Sequence, residues 1–303
     1  MSNDKDLQGK VYVVTGANSG IGFVAARDFA RRGAELVMVC RDAERGQRAR
    51  EDIQSATGSQ SLHLLLADFS LLASVNNLAD ELLARFPAVH VLCNNAGGAN
   101  GSRQVTAEGF ERTFVTNHLS AFLLTSRLLP ALRQAAVDEP SRVVFTASYG
   151  HNHSPLDFND LNLEEGYTTL KAYGRSKLMN VLTARELQRR HAEEGIVASS
   201  FHPGAVRTAI WRKGGTLARL MGLAMYPFMR SEEKGAETLI WLAASGAEEA
   251  RQPGGDYFQD RHKAGVAAFV TDESARRLWE VSEELVQPYL QQKAETDVER
   301  PLE

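Results

Sequence analysis

The chain has 303 residues, of which 43% are hydrophobic and 24% charged, values typical of a globular protein with one large α/β domain or two small ones. Its formal net charge of −4 excludes the overall basic surface expected of a nucleic-acid-binding protein. The first residues are polar, and no stretch approaches the apolar length that spans a bilayer, so we expect a cytoplasmic protein.

Short apolar runs alternate with longer helical patterns along the chain. The predicted strands cover residues 11–14, 35–40, 62–66, 89–93, 142–147 and 197–202. The predicted helices cover residues 20–32, 43–56, 74–85, 107–136, 172–194 and 274–292. Continuous apolar strands between helices indicate a parallel sheet covered on both faces. We therefore predict an α/β fold, with a single doubly wound parallel sheet in one domain over residues 1–303 and a C-terminal helix and tail at about 272–303.

A glycine-rich turn, Thr-Gly-Ala-Asn-Ser-Gly-Ile-Gly at residues 15–22, connects the first predicted strand to the first predicted helix. A helix N-terminus attracts phosphate, because its backbone N–H groups are unpaired and its dipole is positive there. Glycines lack a Cβ, so a pyrophosphate can approach the backbone closely. A glycine turn without a ligand is the alternative. We predict dinucleotide contacts from Gly16, Asn18, Ser19, Gly20, Ile21 and Gly22.

Arg41 follows the second predicted strand, where an NAD-preferring protein would carry an acid for the ribose hydroxyls. The planar guanidinium can bind a 2′-phosphate bidentately, which favours NADP(H) over NAD(H). A solvated arginine is the alternative, and the neighbouring acid, Asp42, weakens the inference.

Polar or small residues also follow the third and fourth predicted strands. Asp68 could accept a hydrogen bond from an adenine amino group, or it could cap the next helix. The sequence Asn-Asn-Ala-Gly at residues 94–97 would let the backbone lie against a flat ligand, or it could form a plain turn. The cofactor contacts predicted here are Asp68, Phe69, Asn94, Ala96 and Gly97.

A serine, a tyrosine and a lysine follow the fifth predicted strand. Tyr173 and Lys177 occupy positions i and i+4 of the next helix and therefore share a face, one element after Ser148. A tyrosine hydroxyl with a pKa of ~10 is a poor base at neutral pH, and a nearby ammonium would lower that pKa. Such a pair suits general acid–base catalysis, although Tyr-x-x-x-Lys alone is common by chance on exposed helices.

In their order along the chain, these motifs resemble the classical short-chain dehydrogenase/reductase family over residues 8 to 260. The matching elements are Thr15-Gly16-x-x-x-Gly20-x-Gly22, Asn94-Asn95-Ala96-Gly97, Asn117, Ser148 with Tyr173-x-x-x-Lys177, and Pro203-Gly204. The resemblance implies an oxidoreductase that uses a nicotinamide cofactor.

The resemblance also implies roles for the matching residues. Tyr173 would be the general acid/base, and Ser148 would polarise the substrate oxygen. Lys177 would lower the pKa of Tyr173 and hold the nicotinamide ribose, and Asn117 would hold a water that links Lys177 to solvent. The segment at residues 203–208 would pass over the nicotinamide, with contacts from Pro203, Gly204, Val206 and Thr208.

Within the family, residues 40–42, 157–162 and 201–204 resemble the branch of retinol dehydrogenases and protochlorophyllide reductases, which mostly prefers NADP(H). The 25 positions from Ser148 to Tyr173 exceed the spacing in compact members, so a homodimer and a monomer both stay open. Because the first residues are polar, we expect no N-terminal membrane anchor of the kind found in many animal retinol dehydrogenases, and this expectation weakens the case for retinol itself as the substrate.

Residues 205–230 are rich in apolar and basic side chains and contain no acid. We favour a helical lid over a small hydrophobic carbonyl or alcohol substrate, because this position follows the sixth predicted strand. An amphipathic helix on an anionic membrane surface is the alternative.

Three further expectations follow from the sequence. Cys40 and Cys93 end apolar runs and are expected to be buried free thiols. His151 and His153 are too few ligands for a metal site, and a pocket wall or a solvated loop is the favoured interpretation. A non-catalytic dinucleotide sensor on the same fold, or a peripheral-membrane retinoid or lipid reductase, is the alternative to a carbonyl reductase.

Overall fold

One sheet of eight strands organises the protein. The computed structural model describes residues 5–206 and 229–296. The strands are β1 (Val11–Thr15), β2 (Glu35–Cys40), β3 (Leu62–Leu66), β4 (Val91–Asn94), β5 (Ser141–Thr146), β6 (Ile196–His202), β7 (Tyr257–Gln259) and β8 (His262–Lys263). Their order is β3-β2-β1-β4-β5-β6-β7-β8; β1 to β7 run parallel, and β8 pairs antiparallel with β7. The α/β doubly wound fold predicted from the sequence is confirmed.

Helices cover both faces of this sheet. They are α1 (Gly20–Arg31), α2 (Ala43–Thr57), α3 (Leu72–Arg85), α4 (Arg112–Phe114), α5 (Ser120–Ala135), α6 (Thr169–His191), α7 (Glu232–Ala244), α8 (Glu248–Arg251) and α9 (Asp272–Thr296). Buried side chains of α3, α5, α6 and α9 form one apolar cluster, and those of α1, α2 and α7 form the other. In these described parts of the chain, no helix has both the length and the apolarity to cross a membrane.

The strands are continuously apolar because both of their faces are buried. In β1, Val11 and Val13 point into the first cluster, whereas Tyr12 and Val14 point into the second. Successive side chains of a strand alternate between the faces, so a central strand needs apolar residues at every position. The six strands predicted from the sequence agree with the observed ones to within two residues at each end.

The helix predicted over residues 107–136 differs from the observed structure at its start. Gly109 has a φ of +86°, which ends any regular helix there, and helical structure begins only at Arg112. The Glu111 carboxylate caps this start by accepting from the backbone N–H groups of Thr113 and Phe114, both at 2.8 Å. A π-helical turn (Val115–Leu119) then leads into α5.

Four elements were not predicted: α7, α8, β7 and β8. β7 has only three residues and follows Pro253, Gly254 and Gly255, so periodicity carries little signal there.

The predicted lid lies largely outside the described residues. Val206 forms an isolated parallel bridge with Arg230, which places the two described ends of that segment side by side.

Candidate active site

The glycine turn between β1 and α1 has the geometry of a phosphate cradle. Gly16 and Gly20 have φ values of +69° and +61°, which favour glycine. Ser19 precedes α1, and its side chain makes no capping hydrogen bond. The first-turn N–H groups of α1 therefore have no side-chain cap among the described residues, and they point to where an anion would bind. These residues fit a dinucleotide pyrophosphate.

Gly22 keeps the turn and the helix in close contact. A Cβ there would lie 2.5 Å from both Asn95 Nδ2 and the Gly16 carbonyl oxygen. Asn18 is half-buried within the turn. The Ile21 side chain packs with Val206 against Gly235, where a Cβ would lie 2.9 Å from Ile21 Cγ2 and 2.6 Å from Val206 Cγ2. Both side chains belong to the second apolar cluster, so the main chain of Ile21 is the part available to a ligand.

The end of β4 corrects one part of the sequence analysis. The buried Asn94 side chain donates to Thr125 Oγ1 at 2.9 Å in α5, so only its main chain is available to a ligand. Asn95, which was not among the predicted contacts, donates from Nδ2 to the Thr15 carbonyl at 2.9 Å and accepts from Thr146 Oγ1 at 3.3 Å. Asn95 therefore joins the ends of β1, β4 and β5, and the alternation of side chains along β4 was the signal that could have found it.

Arg41 lies exposed just beyond β2, and the structure gives it no ion pair among the described residues. The neighbouring Asp42 is occupied as the N-cap of α2, where its carboxylate accepts from Arg45 N at 2.9 Å. One oxygen of Asp42 is thus engaged by its own helix, and the preference for NADP(H) stays a prediction.

Asp68 and Phe69 follow β3. Asp68 does not cap α3: its Oδ1 accepts from the backbone N and the hydroxyl of Ser70, at 2.9 and 2.8 Å, and the residue before α3 is Leu71. The Phe69 side chain is buried in the core, and its carbonyl accepts from Ser120 Oγ at 2.7 Å. A ligand could therefore reach the second oxygen of Asp68 but not the ring of Phe69.

Ser148 and Tyr173 are brought together from two elements. Ser148 follows β5 and begins the 3₁₀ turn Tyr149–His153, and its Oγ accepts from Gly150 N at 3.3 Å. The Tyr173 side chain on α6 faces the Ser148 side chain, and the interaction with Ser148 acts to lower the pKa of the phenol. The turn can approach α6 because residue 174 is glycine: a Cβ there would lie 2.8 Å from the Gly150 carbonyl oxygen.

Lys177 lies on the same face of α6 as Tyr173, as its spacing predicts. Its Nζ is 5.5 Å from the centroid of the Tyr173 ring and donates to the Thr146 carbonyl at 2.9 Å. Asn180 Nδ2 donates to the same carbonyl at 3.1 Å. Gly97 faces this amine: a Cβ at Gly97 would lie 3.4 Å from Nζ and 2.9 Å from Asn117 Oδ1. The predicted residues at the ends of β4 and β5 therefore converge on Lys177, and Ala96 donates from its N to Thr15 Oγ1 at 2.9 Å.

Asn117 sits inside the π-helical turn and is almost fully buried. Its Oδ1 accepts from Gly98 N, and its Nδ2 donates to Gly98 O and to Ser176 Oγ, all at 2.8 Å. A π-helical turn inside a helix often marks a functional position. Here Asn117 connects the loop after β4 to α6, and the water relay implied by the resemblance stays a prediction.

Burial governs the electrostatics of this site. It lowers the pKa of Lys177 to about 8, because the ammonium is removed from water. It also raises the pKa of Tyr173 above the usual value, although the interaction with Ser148 acts in the opposite direction. Desolvation of the phenol therefore outweighs the stabilisation that Ser148 provides. The lowering of the Tyr173 pKa by Lys177, which the resemblance implies, stays a prediction.

The turn after β6 lies over the same end of the sheet. Gly204 has a φ of +87°, and a Cβ there would meet Arg230 Cδ at 2.6 Å. Arg230 lies along this turn, where its N donates to the Ala205 carbonyl at 2.8 Å and its guanidinium pairs with Asp260. Pro203 and Gly204 are half-buried at this edge, and Thr208 lies outside the described residues.

The remaining sequence expectations are also placed. Cys40 and Cys93 are both buried and unpaired, and burial raises the thiol pKa of each, for Cys40 to about 11. His151 is buried beside Ser148, whereas His153 is exposed. His202, which was not among the predicted site residues, ends β6 beneath Tyr149, and burial lowers its pKa to about 4.

Comparison with known proteins agrees with this arrangement. A family profile described as short chain dehydrogenase matches residues 10–216. Human retinol dehydrogenase 11 is 38% identical over 281 residues, which cover 92% of this chain and 86% of that protein. A candidate daunorubicin C-13 ketoreductase, DnrU of Streptomyces sp. strain C5, is 39% identical over 278 residues, which cover 91% and 92%.

Solved structures share the fold. An uncharacterised protein from Mycobacterium paratuberculosis superposes with a TM-score of 0.74 at 30% identity, covering 93% of this chain and 94% of that one. The Pseudomonas aeruginosa RhlG active-site complex with NADP has a TM-score of 0.67 at 26% identity, covering 89% and 100%. A 3-ketoacyl-(acyl-carrier-protein) reductase from Brucella melitensis, complexed with NADH, has a TM-score of 0.65 at 25% identity, covering 83% and 96%.

Proposed function

Since this chain belongs to the short-chain dehydrogenase family and is an oxidoreductase that acts on CH–OH donors, we propose that it interconverts a hydrophobic aldehyde or ketone with its alcohol, using NADP(H). The observation that carries the proposal is the placement of Tyr173 beside Ser148, with Lys177 Nζ 5.5 Å from the centroid of the Tyr173 ring on the same face of α6. A dinucleotide sensor would need none of these three side chains, which favours an enzyme over a scaffold.

The chain's residues divide the work of carbonyl reduction. The nicotinamide, when bound, supplies the hydride. The Ser148 hydroxyl hydrogen-bonds the carbonyl oxygen and polarises it, while Tyr173 donates a proton to that oxygen. The raised pKa of Tyr173 keeps the phenol protonated at neutral pH, as an acid requires. Lys177, held by Thr146 O, keeps a positive charge beside the phenol as it loses its proton.

Arg41 supports the preference for NADP(H). It is exposed at the end of β2, and Asp42 is engaged with Arg45 N at 2.9 Å, so the guanidinium is available for a 2′-phosphate. The structural neighbours include complexes with NADP and with NADH, so the support comes from Arg41 rather than from the neighbours.

The relatives support a carbonyl or alcohol substrate. Their names specify retinol, an alcohol with a long hydrocarbon chain, and reduction of a ketone at C-13 of daunorubicin. A small-molecule substrate and a cytoplasmic location are part of the same proposal. Whether the segment at 207–228 also touches a membrane would be tested by sedimentation with anionic liposomes, with and without that segment.

The experiment that tests the activity is a screen of aldehydes, ketones, steroids and retinoids, with oxidation of NADPH as the readout.

The cofactor preference is tested by the binding of NADPH and NADH to Arg41→Ala. Arg48→Ala is the matched control, since Arg48 is an exposed arginine paired with Glu44 on α2. We expect Arg41→Ala to weaken NADPH binding about tenfold or more while NADH binding changes little, because one bidentate charged contact is lost. Arg48→Ala should leave both unchanged. Equal losses for the two cofactors in Arg41→Ala would contradict the role in 2′-phosphate binding.

A further inference from the structure

His151 is a buried histidine that the proposed reaction does not use directly. It lies in the 3₁₀ turn that begins at Ser148, and none of its surface is exposed. Its Nδ1 is 2.7 Å from the Ser148 carbonyl oxygen, and its own main-chain N–H donates to the same oxygen at 3.1 Å. Because a carbonyl oxygen can only accept, Nδ1 carries the hydrogen of this contact.

The environment of Nε2, the second ring nitrogen, shows that Nδ1 makes the polar contact of this imidazole. Its ring packs on the ring of Tyr257 in β7, with centroids 4.5 Å apart and planes at 65°. Its Nε2 is buried and has no partner among the described residues. A buried nitrogen without a partner costs free energy, and a phenylalanine would fill the same space without that cost. The imidazole is therefore explained by Nδ1, and burial lowers its pKa and favours the neutral ring.

The hydrogen bond from His151 holds the main chain of Ser148, whose hydroxyl is proposed to bind the substrate oxygen. The Ser148 main chain is held by two donors on its carbonyl, and its side chain interacts with Tyr173. Two residues further along the turn, the Gly150 carbonyl packs against α6 at Gly174. The main chain that carries the Ser148 hydroxyl is thus held at its carbonyl by His151, and the turn that follows it is held by α6.

We propose that His151 is a positioning residue: its Nδ1–H fixes the main chain of Ser148, so that the serine hydroxyl meets both Tyr173 and the substrate oxygen. The kinetic part of this inference rests on the proposed function. The interaction between Ser148 and Tyr173 can also be followed without any substrate, which keeps the two claims separable.

Two variants separate the donor from the packing. In His151→Asn, the amide nitrogen can take the place of Nδ1 and keep the bond to Ser148 O, while the contact with Tyr257 is lost. In His151→Phe, the ring contact is kept and the donor is lost. We expect kcat for carbonyl reduction to fall about 10²-fold in His151→Phe, since small displacements of reacting groups have effects of that size. The Asn variant should stay within about threefold of the original enzyme, although its melting temperature falls further than that of the Phe variant.

The substrate-free readout is the ionisation of Tyr173, followed by NMR with ¹³C-labelled tyrosine and identified from the signal missing in Tyr173→Phe. Loss of the aligned Ser148 hydroxyl should move the Tyr173 midpoint upward in His151→Phe and leave it in place in His151→Asn, because the interaction with Ser148 stabilises the phenolate. An unchanged midpoint in His151→Phe, or equal upward shifts in both variants, would overturn the proposal. If the original enzyme reduces no carbonyl in the screen, the proposed function fails while the NMR result still decides the role of His151.

Discussion

The reacting groups of this site are controlled by burial at the scale of single residues. Desolvation lowers the pKa of Lys177 to about 8 and raises that of Tyr173, so both groups move toward their neutral forms. At neutral pH the amine keeps most of its charge and the phenol keeps its proton. That combination suits the donation of a proton to a carbonyl oxygen.

The Lys177 pKa predicts a pH dependence. Since its pKa in the folded protein is about 8, the ammonium loses its charge as the pH rises through that value, while Tyr173 stays protonated. We expect kcat/KM for carbonyl reduction to fall above about pH 8, because this ratio reports groups of the free enzyme. The measurement is a pH profile from 6 to 10.

Two lysines of α6 provide the control for this profile. Lys177→Met should have low activity without the fall above pH 8, whereas Lys171→Met, near the start of the helix, should retain the fall. The same falling limb in Lys177→Met would assign it to another group and refute the role of Lys177.

At this scale the sequence predicted which residues lie near one another but not every direction of a side chain. Ser148, Tyr173 and Lys177 could be assigned because helical spacing and strand ends fix where they lie. Asn94 and Asn95 were not distinguished, although the alternation of side chains along β4 directs Asn94 toward the face that α5 covers and leaves Asn95 beyond the end of the strand.

At the scale of elements, the short β7–β8 hairpin supports the turn after β6. Asp260 and Arg261 at its tip have φ values of +53° and +67°, a conformation that Asp tolerates but that is costly for a long side chain such as that of Arg261. Asp260 pairs with Arg230, which lies on Gly204, and Arg261 N donates to Thr238 Oγ1 at 3.2 Å. The strained tip is thus coupled to the turn that is proposed to contact the nicotinamide.

Because Asp260 supports this turn through Arg230, we expect loss of the ion pair to weaken NADPH binding without lowering the stability of the protein. Asp260→Asn removes the ion pair but keeps a side chain that tolerates left-handed backbone. We expect the dissociation constant of NADPH, measured by calorimetry, to rise several-fold. The melting temperature should change little, because exposed ion pairs contribute at most about 1 kcal/mol.

Asp256→Asn is the matched control, since Asp256 pairs with Lys263 in the same hairpin at 2.5 Å without contacting Arg230. It should leave NADPH binding unchanged. Equal weakening by the two variants would mean that the hairpin acts only through its general stability.

Elements were predictable where they are long and periodic. The first six strands followed from apolar runs, whereas β7 and β8 are too short to carry a pattern. The π-helical turn at Val115–Leu119 leaves no periodic signature either, because its side-chain pattern still resembles that of an α-helix.

At the scale of the whole molecule, α9 joins the C-terminal part of the chain to the core. Leu278, Trp279 and Val286 belong to the apolar cluster under α3, α5 and α6. Ser282 also forms a 2.8 Å hydrogen bond with the buried His118, the residue after Asn117. The C-terminal helix is therefore attached next to the site itself.

The single-domain proposal predicts that α9 is required for folding. A chain ending at residue 271 should lose its cooperative thermal transition and its NADPH binding, because it would expose apolar surface that α9 now covers. A chain ending at residue 296 should unfold in one transition like the full protein. Normal unfolding and binding by the shorter chain would show that α9 is dispensable and that the domain ends earlier.

The central claim is that Tyr173 carries the proton in an NADPH-linked carbonyl reduction. Its most direct test is the rate of NADPH oxidation by Tyr173→Phe with a carbonyl substrate from the screen, alongside NADPH binding by the same variant. Tyr289→Phe serves as the control. Tyr289 lies on α9, and its hydroxyl donates to Glu108 at 3.1 Å rather than contacting Ser148, Tyr173 or Lys177. We predict that turnover is lost, NADPH still binds and the control is unaffected. A near-normal rate in Tyr173→Phe would contradict the account.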